Sequence, residues 1–200
     1  AFWVLIYNGF LYPFFFIGAC LGSLFNEKIR TGFKGRWKTY SQLKSFKKNI
    51  PEKSDVYWFH AASHGEFEQL KPVLEGLEEV EPSAATIVSF FSPSGFTNVE
   101  DTNIDCKIYL PFDFPWTVFR VLKLIRPKKI IFAEYDVWPN MVWIANLKNI
   151  PTTIFSVHFS DRTPKLFPVI RNFYRTVYGA LSHIYSETQS DFEKVEELIG

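Results

Sequence analysis

The sequence is poor in cysteine and nearly balanced in charge, and both features exclude classes of protein. Only two of the 200 residues are cysteines, Cys20 and Cys106. They lie far apart, so they form neither a disulfide framework nor a metal-binding motif. Lysine and arginine number 22 against 21 acidic residues, which gives a net charge of +1. This balance indicates no strongly charged partner, and we expect no nucleic-acid binding.

The N-terminal residues 1–26 lack charged residues altogether. A bilayer-spanning helix needs roughly 20 apolar residues, and this run is long enough. The run is too long for a signal peptide, and no basic region precedes it. A lipoprotein cleavage box at Cys20 and a buried core helix also remain open as interpretations. We expect residues 1–26 to form a membrane anchor, which either spans the bilayer or lies in its interface.

Residues 27–50 contain no acidic residue after Glu27, and eight lysines and arginines lie between Lys28 and Lys48. Basic residues beside an anchor stay on the cytoplasmic side of a membrane and attract anionic lipid headgroups. A solvated basic helix would have the same composition. Because the anchor is adjacent, we expect a membrane-proximal segment that holds the protein at the cytoplasmic face of the inner membrane, in contact with its lipids.

Residues 51–200 alternate short apolar runs with amphipathic stretches. Runs rich in β-branched and aromatic residues predict six buried strands, at residues 56–62, 85–91, 106–110, 129–134, 152–158 and 182–187. Leu70, Leu74 and Leu77 are typical of the helical spacing found between these runs. Strands that alternate with helices predict an α/β domain with a parallel sheet and flanking helices. Ligand sites in such sheets form at the carboxyl ends of the strands.

Several common catalytic motifs are absent from the sequence. It has no Gly-x-Gly-x-x-Gly, no Walker loop, no Gly-x-Ser-x-Gly elbow and no convincing metal-ligand spacing. Polar residues instead follow the predicted strands: Ser63, His64, Gly65 and Glu66; Ser94 and Gly95; Asp113; Glu134, Asp136 and Asn140; His158 and Ser160. Such residues are commonly helix caps, although they also suit an anionic ligand.

Glu66 is the strongest candidate for chemistry among these residues. It follows a glycine, so a ligand can approach the backbone there. Near a helix start it is expected to be ionised at neutral pH, and it could accept a proton from a substrate hydroxyl. Because the helix dipole lowers its basicity, efficient catalysis needs burial to offset that effect. An ordinary acidic residue at a helix start, with no role in chemistry, would show the same local pattern.

Taken together, these motifs resemble those of the bacterial lipid A Kdo transferases, which are 3-deoxy-D-manno-octulosonic acid glycosyltransferases. The segment "ASHGE" is similar to the family's Ser-x-Gly-Glu, and "SPSG" is similar to Thr-Pro-Thr-Gly. "LPFDFPW" resembles Leu-Pro-x-Asp-x-Pro, and "AEYDVWPN" resembles Glu-x-Glu-x-Trp-Pro-Asn. The resemblance runs over essentially the whole chain, in matching order.

The resemblance implies an inverting transferase of the glycosyltransferase-B type with two Rossmann-like domains. It would move Kdo from CMP-Kdo to a lipid A precursor in lipopolysaccharide biosynthesis, with no metal and no cofactor beyond this donor. Residues 51–200 would be the Rossmann-like, acceptor-binding domain. The C-terminal donor domain would be absent from this chain, so the chain alone would be inactive.

The resemblance also implies roles for particular residues. Glu66 would be the general base, supported by Glu134 and Asp136. The acceptor would bind to Ser63, His64, Gly65, Ser94, Gly95, Asp113, Trp138, Asn140, His158, Ser160, Lys34 and Arg36.

The sequence departs from the family pattern at several positions. His64 is unusual there, Asp136 stands for a longer glutamate, His158 stands for an arginine or lysine, and Ser156 stands for an asparagine. Two further functions remain open at this point. One is a membrane-surface glycosyltransferase of the same fold with a different nucleotide-sugar donor, and the second is a non-catalytic lipid-binding module.

Overall fold

The fold is organised around six parallel β-strands. The structure, a computed structural model, describes residues 2–134, 136–159 and 163–200. The strands are β1 Val56–Ala61, β2 Ala85–Phe90, β3 Cys106–Tyr109, β4 Lys129–Ala133, β5 Thr152–Val157 and β6 His183–Ser186. All six strands predicted from the sequence are confirmed, each within about two residues at either end.

The sheet has the strand order β3-β2-β1-β4-β5-β6, and every neighbouring pair is parallel. This is the order of doubly wound Rossmann folds. From β1 the chain builds outward through β2 and β3, and it then returns to β4 on the other side of β1. The crevice between the ends of β1 and β4 is therefore the topological switch point, where such folds bind ligands.

Helices cover the two faces of the sheet. They are α1 Phe2–Ile6, α2 Tyr12–Phe25, α3 Glu27–Asn49, α4 His64–Val80, α5 Pro93–Asn98, α6 Pro115–Ile125, α7 Pro139–Leu147, α8 Pro168–Tyr178 and α9 Gln189–Ile199, with a π turn at Tyr7–Leu11 and a 3₁₀ turn at Pro164–Leu166. Alternate residues of β1 enter two separate apolar clusters, because successive side chains of a strand point to opposite faces. Trp58 belongs to the cluster that includes side chains of α3 and α6 to α9, and Phe59 belongs to the cluster that includes side chains of α4.

The N-terminal segment is one continuous apolar helix, Phe2–Phe25, long and apolar enough to cross a membrane. One side of it packs along the body of the domain: the rings of Trp3 and Phe173 are 5.8 Å apart, and those of Tyr12 and Phe114 are 4.8 Å apart. The opposite side exposes large apolar side chains, namely Phe2, Leu5, Phe10, Leu11, Phe14, Ile17, Leu21, Leu24 and Phe25. The helix thus lies against the domain instead of projecting from it.

Helix α3 carries the basic residues and covers the edge of the sheet. The side chain of Asn26 caps its start by accepting a hydrogen bond from the Ile29 N–H. At its middle, the buried Thr39 hydroxyl donates to the carbonyl of Tyr109 in the edge strand β3, at 2.9 Å. This contact satisfies a backbone acceptor that an edge strand would otherwise expose.

Candidate active site

The first turn of α4 positions Glu66 at the switch point. Ser63 caps the helix, and its Oγ accepts a hydrogen bond from the Glu66 N–H at 3.4 Å. The Glu66 carboxylate reaches back, and its Oε2 accepts from the Ala62 N–H at 2.6 Å. This reciprocal arrangement resembles a capping box, which explains why serine and glutamate stand three residues apart here. Among the described residues, no hydrogen bond reaches the second oxygen, Oε1.

Glu66 is only 8% exposed, and its proton affinity reflects that burial. Burial is the largest effect, and the pKa of Glu66 is raised to about 7. The hydrogen bond from Ala62 and the nearby His60 lower the pKa, whereas the charges of Asp136 and Glu134 raise it. Burial therefore offsets the lowering of the pKa by the helix dipole, as efficient catalysis would require. Glu66 is also only partly ionised at neutral pH, although the helix start alone suggested full ionisation.

His60 lies next to the candidate residues, although no motif in the sequence pointed to it. It is 1% exposed near the end of β1, and its Nε2 lies 3.0 Å from Oδ2 of Asp136. Its Nδ1 lies 3.0 Å from the hydroxyl Oγ of Ser89 on the neighbouring strand β2. A carboxylate accepts hydrogen bonds, so Nε2 carries the proton in the pair with Asp136. The available signal was a histidine in an otherwise apolar strand, one residue before that strand ends.

Glu134 lies at the end of β4 in a left-handed backbone conformation, with φ of 56°. Its Oε1 accepts a hydrogen bond from the side-chain amide of Gln69 on α4, at 2.6 Å. On the next strand Ser156 has φ of 54°. Non-glycine residues in this region are strained, and such strain is commonly found at functional sites. Glu134 and Asp136 thus both lie within electrostatic range of Glu66.

Asp113 and Asn140 lie together beneath the N-terminal helix. The Asp113 carboxylate is buried, and it accepts hydrogen bonds from the Tyr7 hydroxyl at 2.9 Å and the Asn140 N–H at 3.0 Å. The Asn140 amide exchanges two hydrogen bonds with the amide of Asn8. Burial, the largest effect, raises the pKa of Asp113 to about 7. All of these contacts are with the chain itself, so the two residues hold the N-terminal helix and the start of α7 together.

The loop after β2 shows why Gly95 is a glycine. A Cβ atom at Gly95 would lie 2.4 Å from Cδ1 of Phe90, so the position is needed for close packing. Gly65 differs, because a Cβ there would meet only Ser63 Oγ at 3.9 Å. The described residues therefore leave the space in front of Gly65 open. Ser94 is exposed, and its hydroxyl lies 2.9 Å from the Ser92 hydroxyl.

Two histidines predicted to bind the acceptor have exposed side chains with local acidic partners. His64 lies 3.3 Å from Glu68, one turn further along α4. Nδ1 of His158 lies 3.2 Å from the buried carboxylate of Asp191 at the start of α9. Ser160 lies outside the described residues.

The remaining predicted acceptor-binding residues lie in, or pack against, the N-terminal layer formed by helices α1 to α3. Lys34 is exposed on α3. The Arg36 guanidinium donates to the Phe91 carbonyl at 2.8 Å and stacks over the Phe91 ring at 4.4 Å. Burial lowers the pKa of Arg36. Trp138 stacks on the same ring, with centroids 5.1 Å apart.

In the described part of the chain, no group of three or more His, Cys, Asp or Glu side chains could hold a metal ion.

Comparisons with known proteins identify a family for this chain. A family model described as 3-deoxy-D-manno-octulosonic-acid transferase matches residues 32–200. Curated 3-deoxy-D-manno-octulosonic acid transferases are similar to the chain: that of Haemophilus influenzae is 30% identical over 65% of the chain and 31% of the relative. That of Aquifex aeolicus is 29% identical over 56% of the chain and 32% of the relative. That of Chlamydophila psittaci is 27% identical over 85% of the chain and 40% of the relative. The chain spans about a third of the length of these relatives.

Proposed function

The chain belongs to the 3-deoxy-D-manno-octulosonic acid (Kdo) transferase family, and on that premise we propose that it forms the acceptor-binding half of a Kdo transferase of lipopolysaccharide biosynthesis. Its acceptor is a lipid A precursor, and its donor is CMP-Kdo. One observation carries the proposal: a buried carboxylate, Glu66, stands at the switch point and has one oxygen without a hydrogen bond in the described chain.

Glu66 acts as the general base in this proposal. Its Oε1 takes the proton of the acceptor hydroxyl while the hydroxyl oxygen attacks the anomeric carbon of Kdo. The bond from that carbon to CMP breaks, and CMP leaves with the bonding electrons. A base with a pKa of about 7 is suited to this step, because it is largely ionised slightly above neutral pH and still basic enough to accept the proton.

The neighbouring groups position this base. Ala62 holds Oε2 through its N–H, so the free oxygen has a defined direction. His60 orients Asp136, and the strained backbone of Glu134 presents a carboxylate at the same edge. The open space before Gly65 leaves room for the acceptor next to Glu66. We propose that Asp136 and Glu134 bind acceptor hydroxyl groups.

The donor does not need to bind to these residues. In the glycosyltransferase-B arrangement a second Rossmann-like domain holds the nucleotide, and the greater length of the relatives leaves room for one.

The proposal places the acceptor domain at the cytoplasmic face of the inner membrane. Support comes from the exposed apolar side of α1 and α2 and from the basic helix α3.

The test is Kdo transfer from CMP-Kdo to a lipid A precursor by the full-length protein in detergent. We expect Glu66→Gln to lower kcat by about 10²–10⁴-fold, because the amide cannot accept the proton. Glu68→Gln is the matched control, since Glu68 lies on the same helix with an exposed side chain. Equal loss of transfer in both variants, or no loss in either, would contradict the role of Glu66.

A further inference from the structure

A cavity of about 550 Å³ lies beside the candidate active site. It is enclosed by helices α2 and α3 and by the loops that follow β2 and β3. Its walls are mostly apolar and include Phe15, Phe16, Phe33, Phe91 and Phe112. This volume falls within the range of sites that hold small apolar ligands.

The charges around the cavity all have one sign. Lys28 and Arg36 line it, and no acidic residue does so in the described chain. The opposite side of α2 carries exposed apolar residues such as Phe14, Ile17 and Leu21. The helix that walls the cavity therefore presents an apolar outer side, of the kind that lies on a membrane, next to the basic helix α3. This favours an apolar chain that is attached to an anionic headgroup.

The cavity is also connected to the candidate base. Ser92 lines it, and the Ser92 N–H donates to the Ala62 carbonyl at 2.8 Å. The N–H of the same residue, Ala62, holds Glu66. Trp138, two residues after Asp136, forms another part of the wall. A lipid with a chain in this cavity would have its headgroup at the same edge of the sheet as Glu66.

We propose that this cavity binds one acyl chain of the lipid that receives the sugar. The inference rests on the proposed function, because it takes the acceptor to be an anionic glycolipid. A chain that moves from the bilayer into the cavity stays in an apolar environment, so the move adds little hydrophobic free energy. The cavity serves mainly to orient the lipid so that its hydroxyl lies next to Glu66.

Trp138 adds a polar element to this site. Its indole N–H is buried and has no acceptor among the described residues. Leaving such a donor unpaired costs free energy. The ester or amide carbonyl at the head of an acyl chain would give it an acceptor after a small rotation of the ring.

Gly18 provides a way to fill the cavity without disturbing the fold. It lines the cavity, and a Cβ atom there would meet no atom of the described residues within 4 Å. Gly18→Phe would therefore place a ring at the cavity. Gly9→Phe is the matched control, because Gly9 lies on the same helix, also has no atom within 4 Å of its Cβ position and is not part of the cavity. Ala19→Leu, from the adjacent wall position, is a second blocking variant.

The experiment is photo-crosslinking of the full-length protein with a lipid A precursor that carries a diazirine in one acyl chain. Phosphatidylglycerol with the same labelled chain is the comparison lipid. We expect the precursor to label cavity residues such as Phe33, Phe91 and Phe112. This labelling should fall about tenfold or more, ~1.4 kcal/mol, in Gly18→Phe and Ala19→Leu, and it should persist in Gly9→Phe.

Two results would overturn the inference. One is labelling confined to the exposed side of α1 and α2, and the other is equal labelling of the cavity by phosphatidylglycerol. Kdo transfer is measured on the same preparations, so that failure of the lipid site can be distinguished from failure of the proposed function. Cavity labelling without transfer by the wild type supports the lipid site and contradicts the proposed function. Transfer without cavity labelling supports the proposed function and contradicts the lipid site.

Discussion

At the scale of single residues, Glu66 combines a location that favours its charge with burial that opposes it. The helix start and the Ala62 N–H stabilise the carboxylate, yet burial is the larger effect and raises its pKa to about 7. The general-base role depends on this imbalance. A surface glutamate at a helix start would have a low pKa and would be a weak base.

This raised pKa has a consequence for stability. Between the ordinary glutamate pKa of 4.5 and about 7, the folded state binds more protons than the unfolded state, so stability falls as pH rises. Glutamine cannot ionise, so Glu66→Gln should become more stable relative to the wild type as pH rises from about 5 to 8, by up to ~3 kcal/mol. Urea unfolding at several pH values measures this difference. A difference that does not change with pH would contradict the raised pKa, and Glu68→Gln is the control.

His60 is expected to act by positioning Asp136. His60→Phe removes the hydrogen bonds to Asp136 and to the Ser89 hydroxyl, so the carboxylate is no longer held in place. Because a misplacement of about 1 Å can cost about 10²-fold in rate, we expect kcat to fall by about that factor. His60→Gln should recover part of the loss, since its amide N–H can donate to Asp136. Circular dichroism checks that both variants are folded. If His60 only supports the fold, kcat of His60→Gln should be no higher than that of His60→Phe.

The sequence predicted some site residues better than others. Glu66 followed from its place after a glycine at a strand end, which is a local pattern. The pair of His60 and Asp136 joins residues 76 positions apart, so only the strand order brings it together. Ser156 shows a further limit: the family pattern has asparagine there, and asparagine tolerates the left-handed φ of 54° better than serine does. The sequence alone did not reveal that backbone requirement.

At the scale of secondary-structure elements, the N-terminal helix is held to the domain by specific polar contacts. Tyr7, Asn8 and Tyr12 all hydrogen-bond to Asp113 or Asn140. The sequence analysis predicted the helix correctly from its apolar length. It did not show this attachment, because a partner more than 100 residues away leaves no periodic signal. The same contacts give Asp113 and Asn140 a structural role, and their role in binding the acceptor stays a prediction.

These contacts can be tested by weakening them. The double variant Tyr7→Phe, Asn8→Ala removes the hydrogen bonds to Asp113 and Asn140, and each buried group left unsatisfied costs about 1–3 kcal/mol. We expect faster amide hydrogen exchange in α2 and in the first turn of α7. Phe14→Ala, on the exposed side of the helix, should leave exchange in α7 unchanged. Unchanged protection in the double variant would mean that ring packing and the remaining Tyr12 hydrogen bond suffice to hold the helix.

At the scale of the whole molecule, the six-stranded sheet gathers the catalytic candidates at one edge, and the N-terminal layer lies beside it. The alternation of strands and helices in the sequence was enough to predict this architecture. The sequence left open whether the anchor spans the membrane. Packing of its inner side from Trp3 to Phe16 against the domain favours a helix that lies in the plane of the interface.

Membrane attachment through α3 is expected to be electrostatic. Lys34, Lys38 and Lys44 are exposed on this helix, and each basic residue near an anionic surface contributes about 1 kcal/mol. Replacing all three by glutamine should weaken binding to phosphatidylglycerol vesicles by about 100-fold. Added salt should reduce wild-type binding in the same direction. Lys71→Gln on α4, which covers the other face of the sheet, is the control, and vesicle flotation is the measurement. Binding by the triple variant that equals the wild type would rule out this role of α3.

The most direct test of the central claim is the pH dependence of Kdo transfer from CMP-Kdo to a lipid A precursor, for the full-length protein and its Glu66→Gln variant. With Glu66 as the base, kcat/KM of the wild type should rise with pH and level off above an apparent pKa near 7. The variant should lose most of this activity, and its residual rate should lack that dependence. A variant with near wild-type activity and the same pH profile would show that another group accepts the proton.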